Sequence, residues 1–371
     1  MIDLSFRFDL YKSEPKLSRR AKRSLRNALR SNVWTNDSVD LVKFMNSEYY
    51  GEIKIGSPAQ TFNVMFDTTW ADSWLPSSHC AWTEVVCRIH NRYDGSKSSS
   101  YIPNGRLINM SYISMEGMLS TDTFHLAHVK LDNQTFMEAT RIPMMPFIQY
   151  KSDGIIGLAF ESKAIFKDVT PFFYNLIKQE VIKENIFTFY MNRDATTTRA
   201  GKVIFGATDR KHMKPGTNTT LSVIEKSFWK IEIDSIAASK NKTTYPISGK
   251  CEAIFDSSSN VIEGPAENIT AINYMMNAVY VPGINKYAVN CREYAKLPDI
   301  HFVLNGNDFS IQSKYYVQRL TVENIEACFS PFVPNADSRI KYWSLGGAFM
   351  MEFYTEFDLD REVVNVGQTV F

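Results

Sequence analysis

Short runs in which hydrophobic and polar residues alternate dominate the chain from residue 49 onward. A period of two is typical of β-strands that bury one face. The clearest runs are YYGEIKI (49–55), TFNVMFD (61–67), KVIFG (202–206), KIEIDSI (230–236) and IHFVL (300–304). Helical spacing of apolar residues is convincing over residues 171–183 and roughly 266–279, and residues 12–30 permit a helix without a strong apolar face. The pattern predicts a mostly β protein with long loops and few helices.

An internal repeat is the most informative feature of the pattern. VMFDTT (64–69) and AIFDSS (253–258) each place apolar residues before an Asp and two small or hydroxyl residues after it. IIGLAF (155–160) follows the first motif and SLGGAF (344–349) follows the second, with 90 residues between each Asp and the matching Gly. Equal spacing of two motif pairs predicts two lobes related by a pseudo-twofold axis.

The length and charge of the chain fit this organisation. A length of 371 residues predicts two domains, because single cores rarely grow beyond ~250–300 residues. The net charge of +1 gives no indication of a nucleic acid partner. Residues 1–30 hold nine basic and three acidic residues, which leaves a mildly acidic body. This basic segment is either a solvated tail or a pro-segment that covers an acidic surface.

The repeated Asp67 and Asp256 are candidate catalytic residues. Two carboxylates at hydrogen-bonding distance cannot both ionise readily, so they share a proton and titrate in two steps. One can then accept a proton from water while the other polarises a carbonyl, which allows peptide hydrolysis without a metal or a covalent intermediate. Alternatively, each Asp only caps a turn at the end of a strand. The equal spacing of the repeat favours the catalytic pair.

Other residues suggest export rather than metal chemistry. No apolar run approaches the ~18–20 residues that span a bilayer, and residues 1–10 make a poor signal peptide. His125 and His128 lie in an alternating stretch and are interpreted as surface residues; we expect no metal and no cofactor. Secretion or a lysosomal location is instead indicated by six Asn-X-Ser/Thr sites, at Asn36, Asn109, Asn133, Asn218, Asn241 and Asn268.

From about residue 40 onward the chain resembles the pepsin-like aspartic proteases, cathepsin D among them. The stretches that match in order are YYGEIKIGSPAQTFNVMFDTT, DGIIGLAF, NIFTFYMNRD, SFWKIEIDSI, CEAIFDSS, LPDIHFVLNG and WSLGGAFMMEFYTEFDLD. The resemblance implies a bilobal, mostly β fold with a central peptide-binding cleft. It implies a pro-segment-like region over residues 1–42, an N-terminal lobe over 43–207 and a C-terminal lobe over 208–371.

The resemblance also implies roles for individual residues. Asp67 and Asp256 would form the dyad, and Tyr112 would be the tyrosine of the flap, although it could be only an aromatic residue on an edge strand. Disulfides Cys80–Cys87 and Cys291–Cys328 are implied, with Cys251 left as a free buried thiol. The implied partners are a peptide or protein in the cleft and the chain's own basic pro-segment, and we expect a monomer.

Both active-site loops depart from the family pattern of Asp, Thr or Ser, then Gly. Thr69 and Ser258 stand where the family has glycine, and Trp70 replaces a Ser whose hydroxyl binds the catalytic Asp. Side chains at these close contacts are expected to push the loops apart or tilt the carboxylates. Trp70 would either fill the vacated space or partly block the cleft. The flap sequence YISMEG (112–117) also lacks the family's glycine-rich tip and is two residues shorter.

Other features of the family remain. Thr68 and Ser257 keep the hydroxyls that link the two loops, Ser259 keeps a potential hydrogen bond to Asp256, and Trp74 keeps its place behind the first loop. Two hypotheses follow: a relative with impaired or absent catalysis that binds peptides or proteins, which we favour, and an active acid endopeptidase. The insect allergen branch, typified by the cockroach aspartic-protease-like allergen, also lacks the family glycines.

Overall fold

The computed structural model describes residues 6–12, 48–126, 129–192, 199–282, 286–322 and 325–370. The first half of the chain contributes strands β1 (Phe6–Lys12), β2 (Tyr49–Ile55), β3 (Gln60–Asp67), β4 (Trp74–Pro76), β5 (Ile102–Met110), β6 (Met115–Leu126), β7 (Val129–Arg141), β8 (Gly154–Gly157), β9 (Ile186–Met191) and β10 (Arg199–Phe205). The second half contributes β11 (Thr219–Ser222), β12 (Lys230–Ile233), β13 (Ser235–Lys240), β14 (Thr243–Ser248), β15 (Cys251–Phe255), β16 (Ile262–Gly264), β17 (Val279–Val281), β18 (Lys286–Val289), β19 (Asp299–Leu304), β20 (Asn307–Ile311), β21 (Gln318–Val322), β22 (Ile325–Phe329), β23 (Phe332–Pro334), β24 (Trp343–Leu345), β25 (Phe353–Asp358) and β26 (Val363–Gln368).

Helices are few and short in the described residues. The α-helices are Val85–Ile89, Phe172–Lys178, Ala266–Met275, Ser313–Tyr316 and Gly347–Met350. Single 3₁₀ turns occur at Gly95–Lys97, Ser111–Ile113, Phe147–Gln149, Glu161–Lys163, Arg210–His212 and Tyr294–Lys296. None of the described helices is long and apolar enough to cross a membrane. The prediction of a mostly β protein with few helices is confirmed.

The strands predicted from alternation are present. Tyr49–Ile55 matches its prediction at both ends, and the strand predicted over 61–67 begins one residue earlier, at Gln60. The run over 230–236 is divided between two strands, Lys230–Ile233 and Ser235–Lys240. The two predicted helices are shorter than their apolar patterns. The region over 12–30 lies outside the described residues apart from Lys12, which ends a strand.

The fold is bilobal, with one sheet that runs through both halves of the chain. Its thirteen strands follow the order β11-β26-β25-β9-β10-β1-β2-β3-β8-β4-β7-β6-β5. The N-terminal strand β1 pairs antiparallel with β10 and, at its end, with β2. Three further sheets, of five, four and four strands, belong to the second half.

The same strand pairing occurs around each Asp motif. Trp74 pairs with Ile155 in the first half, and Glu263 pairs with Ser344 in the second, again in antiparallel strands. Both residues of the second pair lie 189 positions after their counterparts, which is also the separation of Thr68 and Ser257. The pseudo-twofold arrangement predicted from the repeated motifs is therefore present in the strand register.

An aromatic core supports the active-site loops from below. Phe187 stacks on Phe357 with ring centroids 4.7 Å apart, and the ring of Trp229 lies edge-on to Phe357 at 5.2 Å. The buried Trp229 indole donates to Leu158 O at 2.9 Å, and Leu158 N donates to Asp67 O at 2.8 Å. Burial of large aromatic surface is a major stabilising contribution, so this core holds the first loop in position.

Candidate active site

Each Asp lies at the end of a strand. A parallel strand next to it carries the start of the Gly motif from the same half of the chain. Asp67 ends β3 and pairs with Gly157 of β8, while Asp256 directly follows β15, whose Phe255 pairs with Leu345. A Cβ atom on Gly157 would lie 2.4 Å from Ala71 C, and one on Gly346 would lie 2.3 Å from Val261 O. The chain passes too closely at both points for any side chain, which explains the repeated glycine in the motifs.

Thr68 and Ser257 join the two loops. Thr68 N donates to Ser257 Oγ at 3.0 Å, and Ser257 N donates to Thr68 Oγ1 at 3.1 Å. Thr68 Oγ1 donates to Phe255 O at 2.7 Å, and Ser257 Oγ donates to Phe66 O at 2.6 Å. Both residues are buried. The expected link between the loops is therefore present and fully hydrogen-bonded.

Of the two effects expected from Thr69 and Ser258, separation of the loops does not occur, and both side chains turn towards the carboxylates. Asp67 Oδ1 accepts from Thr69 N at 2.7 Å and from Thr69 Oγ1 at 2.6 Å. Asp256 Oδ1 accepts from Ser258 N at 3.1 Å and from Ser258 Oγ at 2.8 Å. Each replacement of glycine thus adds a hydroxyl donor to the carboxylate that its backbone amide already binds.

Two further serines contact Asp256. Ser259 N donates to Asp256 Oδ1 at 3.1 Å, but the Ser259 hydroxyl accepts a hydrogen bond from Val261 N instead of binding the carboxylate. Ser344 Oγ donates to Asp256 Oδ2 at 3.2 Å. Ser344 begins the SLGGAF motif, so it belongs to the internal repeat. The matching residue in the first half is Ile155, which lacks a hydroxyl, so the repeat does not predict a hydrogen bond at this position.

The two carboxyl groups influence each other. Asp67 is 2% exposed, whereas Asp256 is half-buried. Burial and, after it, the charge of the nearby Asp256 carboxylate raise the pKa of Asp67 to about 6, while hydrogen bonds from Thr69 and the Ser258 hydroxyl oppose the rise. Since one negative charge disfavours the other, the pair holds a proton into mildly acidic solution, as an acid–base dyad requires.

Above the dyad lies a cavity of about 350 Å³ between the lobes. Its lining includes Thr69, Trp70, Asp72 and Tyr112 from the first half, and Phe228, Asp256, Glu263, Tyr342 and Ser344 from the second. Asp72 is buried and accepts from Ile165 N at 2.6 Å and from Phe166 N at 3.2 Å. Burial raises the pKa of the Asp72 carboxyl. The cavity is large enough to hold side chains of a peptide.

Three aromatic residues singled out in the sequence border or support this cavity. Trp70 is half-buried and packs against the apolar cluster that contains Trp74 and Met65. The buried Trp74 ring lies edge-on to Phe147 at 5.1 Å, and its Nε1 has no hydrogen-bond partner among the described residues. Tyr112 lies in the 3₁₀ turn between β5 and β6 and is 69% exposed. A turn between two strands fits the flap interpretation.

The cysteines pair as the resemblance implied. Disulfides join Cys80 to Cys87 and Cys291 to Cys328. Cys251 is free, but it is half-buried rather than buried, and it is the first residue of β15. The Cys291 and Cys328 sulfurs lie close to Glu326, yet sulfurs already joined in a disulfide are not thiolate ligands for a metal.

The Asn-X-Ser/Thr sites differ in accessibility. Asn109, Asn133, Asn218 and Asn241 are exposed, whereas Asn268 is half-buried and its Nδ2 donates to Ile247 O at 2.8 Å. Asn36 lies outside the described residues, as does His128. His125 lies on strand β6, in agreement with the extended stretch predicted there, and its Nε2 lies 3.3 Å from Gly56 O.

Several cavity residues could not be identified from the motifs. Lys163 follows IIGLAF by three residues, and Phe228 begins the stretch FWKIEIDSI, but neither position belongs to the internal repeat. Asn335, Ile340 and Tyr342 come from a loop without a repeated pattern. The sequence indicates these cavity residues only through their position next to the recognised motifs.

Comparison with known proteins agrees with this geometry. The family model for eukaryotic aspartyl protease matches residues 48–369. The chain is 36% identical to cathepsin D of Gallus gallus over 337 residues, which cover 89% of this chain and 83% of that protein. It is 34% identical to cathepsin D of Canis lupus familiaris (88% and 82% covered) and of Chionodraco hamatus (87% and 82% covered).

Proposed function

The chain belongs to the eukaryotic aspartyl protease family, and on that premise we propose that it binds peptides or proteins in its cleft while hydrolysing them slowly or not at all. In this proposal Asp67 and Asp256 are the family's catalytic pair, retained in position. Their reactivity is lowered by the hydroxyl groups of Thr69 and Ser258. The arrangement of the site residues, rather than the fold, decides between peptide binding and catalysis.

The hydroxyl of Ser258 is the observation that carries this proposal. A water that attacks a peptide must contact both carboxyls, so that one takes its proton and the other polarises the carbonyl. Ser258 Oγ donates to Asp256 Oδ1 at 2.8 Å, and the same side chain lies near enough to the Asp67 carboxyl to lower its pKa. A side-chain hydroxyl that binds one carboxylate and lies beside the other competes with the attacking water for a carboxylate oxygen that the water needs.

Thr69 adds to this effect on the other carboxyl. Its hydroxyl and amide both bind Asp67 Oδ1, at 2.6 and 2.7 Å. Hydrogen bonds to an ionised carboxylate favour that form and lower the carboxyl's pKa. The chemistry needs one protonated and one ionised group, so donors that lower the pKa of Asp67 lower the upper end of the pH range in which the pair is correctly protonated.

Peptide binding is supported by the cavity above the dyad. The cavity combines aromatic walls with acidic and hydroxyl groups, as in sites that hold polypeptide side chains. Tyr112 is largely exposed above it and can contact a ligand. The reaction we assign to the family site would use no metal and no cofactor.

The test is hydrolysis of denatured haemoglobin and a peptide library between pH 3 and 6 by the full chain, before and after acid incubation. We expect little or no pepstatin-sensitive cleavage by the unsubstituted chain. We expect a gain of at least about tenfold in the double variant Thr69→Gly/Ser258→Gly, because it removes both added hydroxyl donors and general acid–base catalysis contributes about 10²–10⁴-fold. Asp67→Ala added to the double variant must abolish the gain. Peptide binding is measured in parallel with a non-cleavable statine peptide.

An active acid endopeptidase is the second candidate, and it has an observation of its own. All four hydrogen bonds that join Thr68 and Ser257 to the opposite loops are present, and the pKa of Asp67 is raised to about 6. Robust cleavage by the unsubstituted chain, lost in Asp67→Ala, would support this candidate and contradict the proposal above.

We also propose that residues 1–42 are a pro-segment, that 43–207 and 208–371 are the two lobes, and that the chain is a secreted or lysosomal monomer. The antiparallel pairing of Phe6–Lys12 with Arg199–Phe205 supports a segment that docks on the body. The two disulfides and the four exposed Asn-X-Ser/Thr sites support an oxidising, glycosylating compartment. Mass spectrometry of the secreted protein before and after glycosidase treatment tests this assignment.

A further inference from the structure

A lysine forms part of the wall of an otherwise acidic cavity. Asp72, Asp256 and Glu263 line the cavity, and Lys163 is the one cationic side chain among its described lining residues. An isolated positive charge in such a site attracts an acidic group to one position, while the surrounding carboxylates oppose acidic groups elsewhere. The location of the Lys163 ammonium therefore bears on which peptides the cleft selects.

Local hydrogen bonds hold the Lys163 backbone in place. Lys163 ends the 3₁₀ turn Glu161–Lys163, in which its amide donates to Phe160 O at 2.9 Å and Ala164 N donates to Glu161 O at 2.9 Å. The Ser162 hydroxyl donates to Lys226 O, which ties this turn to the segment that carries Phe228. The side chain therefore leaves the backbone at a defined point beside the cavity.

The ammonium group rests on an aromatic ring. Lys163 Nζ lies 4.2 Å from the centroid of Phe228, within the range of a cation–π contact. Phe228 lines the same cavity and precedes the buried Trp229 of the core. The ring thus keeps the positive charge at the cavity wall instead of letting it extend freely into solvent.

Lys163 has no carboxylate within 4.0 Å of its Nζ in the part of the chain that the structure describes. Its neighbours are paired, since Lys226 contacts Glu362 at 2.6 Å and Lys230 contacts Glu225. Burial lowers the pKa of Lys163, and the charge of Glu225 opposes this fall. An ammonium that rests on an aromatic ring and has no ion-pair partner among the described residues is available to bind an incoming carboxylate.

We infer that Lys163 gives the cleft a preference for peptides with Glu or Asp at the position that lies against Phe228. This inference rests on the proposed function, because it assumes that a peptide occupies the cleft. Lys163 acts here as a specificity-determining residue and takes no part in bond cleavage. The preference is for a charged carboxylate, so a Gln of the same shape is the matched comparison.

The preference is expected to depend on pH through the ligand. A peptide Glu ionises above about pH 4.3, whereas the lysine stays protonated throughout acidic solution. The acidic groups that face this region are Glu225 beside the lysine and Asp72, Asp256 and Glu263 around the cavity. When the peptide Glu is protonated, these groups act on the Glu and Gln peptides alike. The preference for Glu over Gln should therefore be clear at pH 5.5, where the Glu is ionised, and lost below about pH 4.

The test uses non-cleavable statine peptides that carry Glu or Gln at each position in turn, with binding to the full chain measured by fluorescence anisotropy. At one position and pH 5.5 the Glu peptide is expected to bind about fivefold more tightly, a modest effect because the lysine is partly exposed. Lys163→Met should remove this difference between the Glu and Gln peptides. Lys167→Met is the matched control, since Lys167 is nearby and exposed but donates to Ala164 O outside the cavity; it should keep the preference.

The outcomes separate this inference from the proposed function. Equal affinity for Glu and Gln peptides at every position, or a preference that survives Lys163→Met, overturns the inference and leaves peptide binding standing. Failure of the Glu and Gln peptides alike to bind overturns the proposed function and the inference together. Loss of the Glu preference below about pH 4 supports direct contact with a carboxylate.

Discussion

Thr68 and Ser257 exchange backbone-to-hydroxyl hydrogen bonds, at 3.0 and 3.1 Å, across a separation of 189 residues. Each hydroxyl also donates to a carbonyl of the opposite strand, at Phe255 O and Phe66 O. Both backbone amides and both hydroxyls of this buried pair are therefore hydrogen-bonded, and these bonds join the two halves of the chain next to the carboxylates. This contact fixes how closely Asp67 and Asp256 can approach.

We expect Thr68→Val and Ser257→Ala each to lower the free energy of unfolding by about 1–3 kcal/mol, because each leaves buried partners without a hydrogen bond. The double variant should cost less than the sum of the two, since the second change removes partners already orphaned by the first. Urea unfolding measures all three. The control is Thr244→Val on the exposed strand β14, which should change stability by less than about 0.5 kcal/mol. Additive losses would contradict a shared network.

Asp67 should make the stability of the chain depend on pH. Its pKa is about 6 when folded and ~3.9 when unfolded, so between these values the folded chain holds a proton that the unfolded chain has released. The free energy of unfolding therefore falls as pH rises from about 4 to 6. Asp67→Asn removes this dependence.

We compare the free energy of unfolding of Asp67→Asn with that of the unsubstituted chain at the same pH. The difference in favour of Asp67→Asn should be about 2–3 kcal/mol larger at pH 7 than at pH 4. Denaturant unfolding at both values measures the difference. Ser310→Ala, which changes no titratable group, should differ from the unsubstituted chain by the same amount at both pH values. A gain for Asp67→Asn that is equal at pH 4 and pH 7 would contradict the raised pKa.

Thr69 lowers the pKa of Asp67 through its hydroxyl, which donates to Oδ1 at 2.6 Å. Thr69→Val keeps the branched shape but removes the donor, so the pKa of Asp67 should rise above about 6, by roughly one unit. Carbon-detected NMR of the labelled carboxyl groups measures the change. Thr69→Ser keeps a hydroxyl and should restore the original value. An unchanged pKa in Thr69→Val would show that the Thr69 hydroxyl does not lower the pKa of Asp67.

The sequence was sufficient to predict the fold and the central pair because both depend on repeated, local features. Asp67 and Gly157 lie side by side in parallel strands, so the 90-residue interval between them reports a real contact. The same interval occurs between Asp256 and Gly346. Alternating burial along Tyr49–Ile55 likewise reflects one face on the core.

The orientation of side chains at the site could not be predicted in this way. Replacement of glycine indicated a steric conflict, but whether Ser258 separates the loops or turns its hydroxyl to Asp256 depends on its rotamer. The cavity contact of Lys163 with Phe228 joins segments 65 residues apart, in a region without a repeat. Such contacts depend on tertiary packing, which the local periodicity of the sequence does not reveal.

The two disulfides should contribute unequally to stability. Cys291–Cys328 closes a loop of 37 residues and Cys80–Cys87 closes one of 7. Restriction of the unfolded chain grows with loop length, which gives about 4 kcal/mol for the longer loop and about 2 kcal/mol for the shorter. Serine substitution of each pair, followed by urea unfolding, tests the order. A larger loss from the Cys80/Cys87 pair would show that native-state packing outweighs chain entropy.

Trp70 forms part of the cavity wall and does not fill the cavity, which retains about 350 Å³ beside it. The same side chain packs against the cluster that contains Trp74. Trp70→Ser should therefore weaken binding of a non-cleavable peptide about tenfold, because an aromatic contact surface is lost. It should also lower the free energy of unfolding by about 1–3 kcal/mol, since part of the indole is buried.

Anisotropy titration and urea unfolding of Trp70→Ser measure these two effects. Trp82→Ser is the matched control, because Trp82 is 81% exposed and does not line the cavity, so binding should be unchanged and stability should vary by less than about 0.5 kcal/mol. Tighter binding in Trp70→Ser would mean that the indole blocks the cleft. In that case the double variant Thr69→Gly/Ser258→Gly should regain cleavage only when Trp70 is also replaced by Ser.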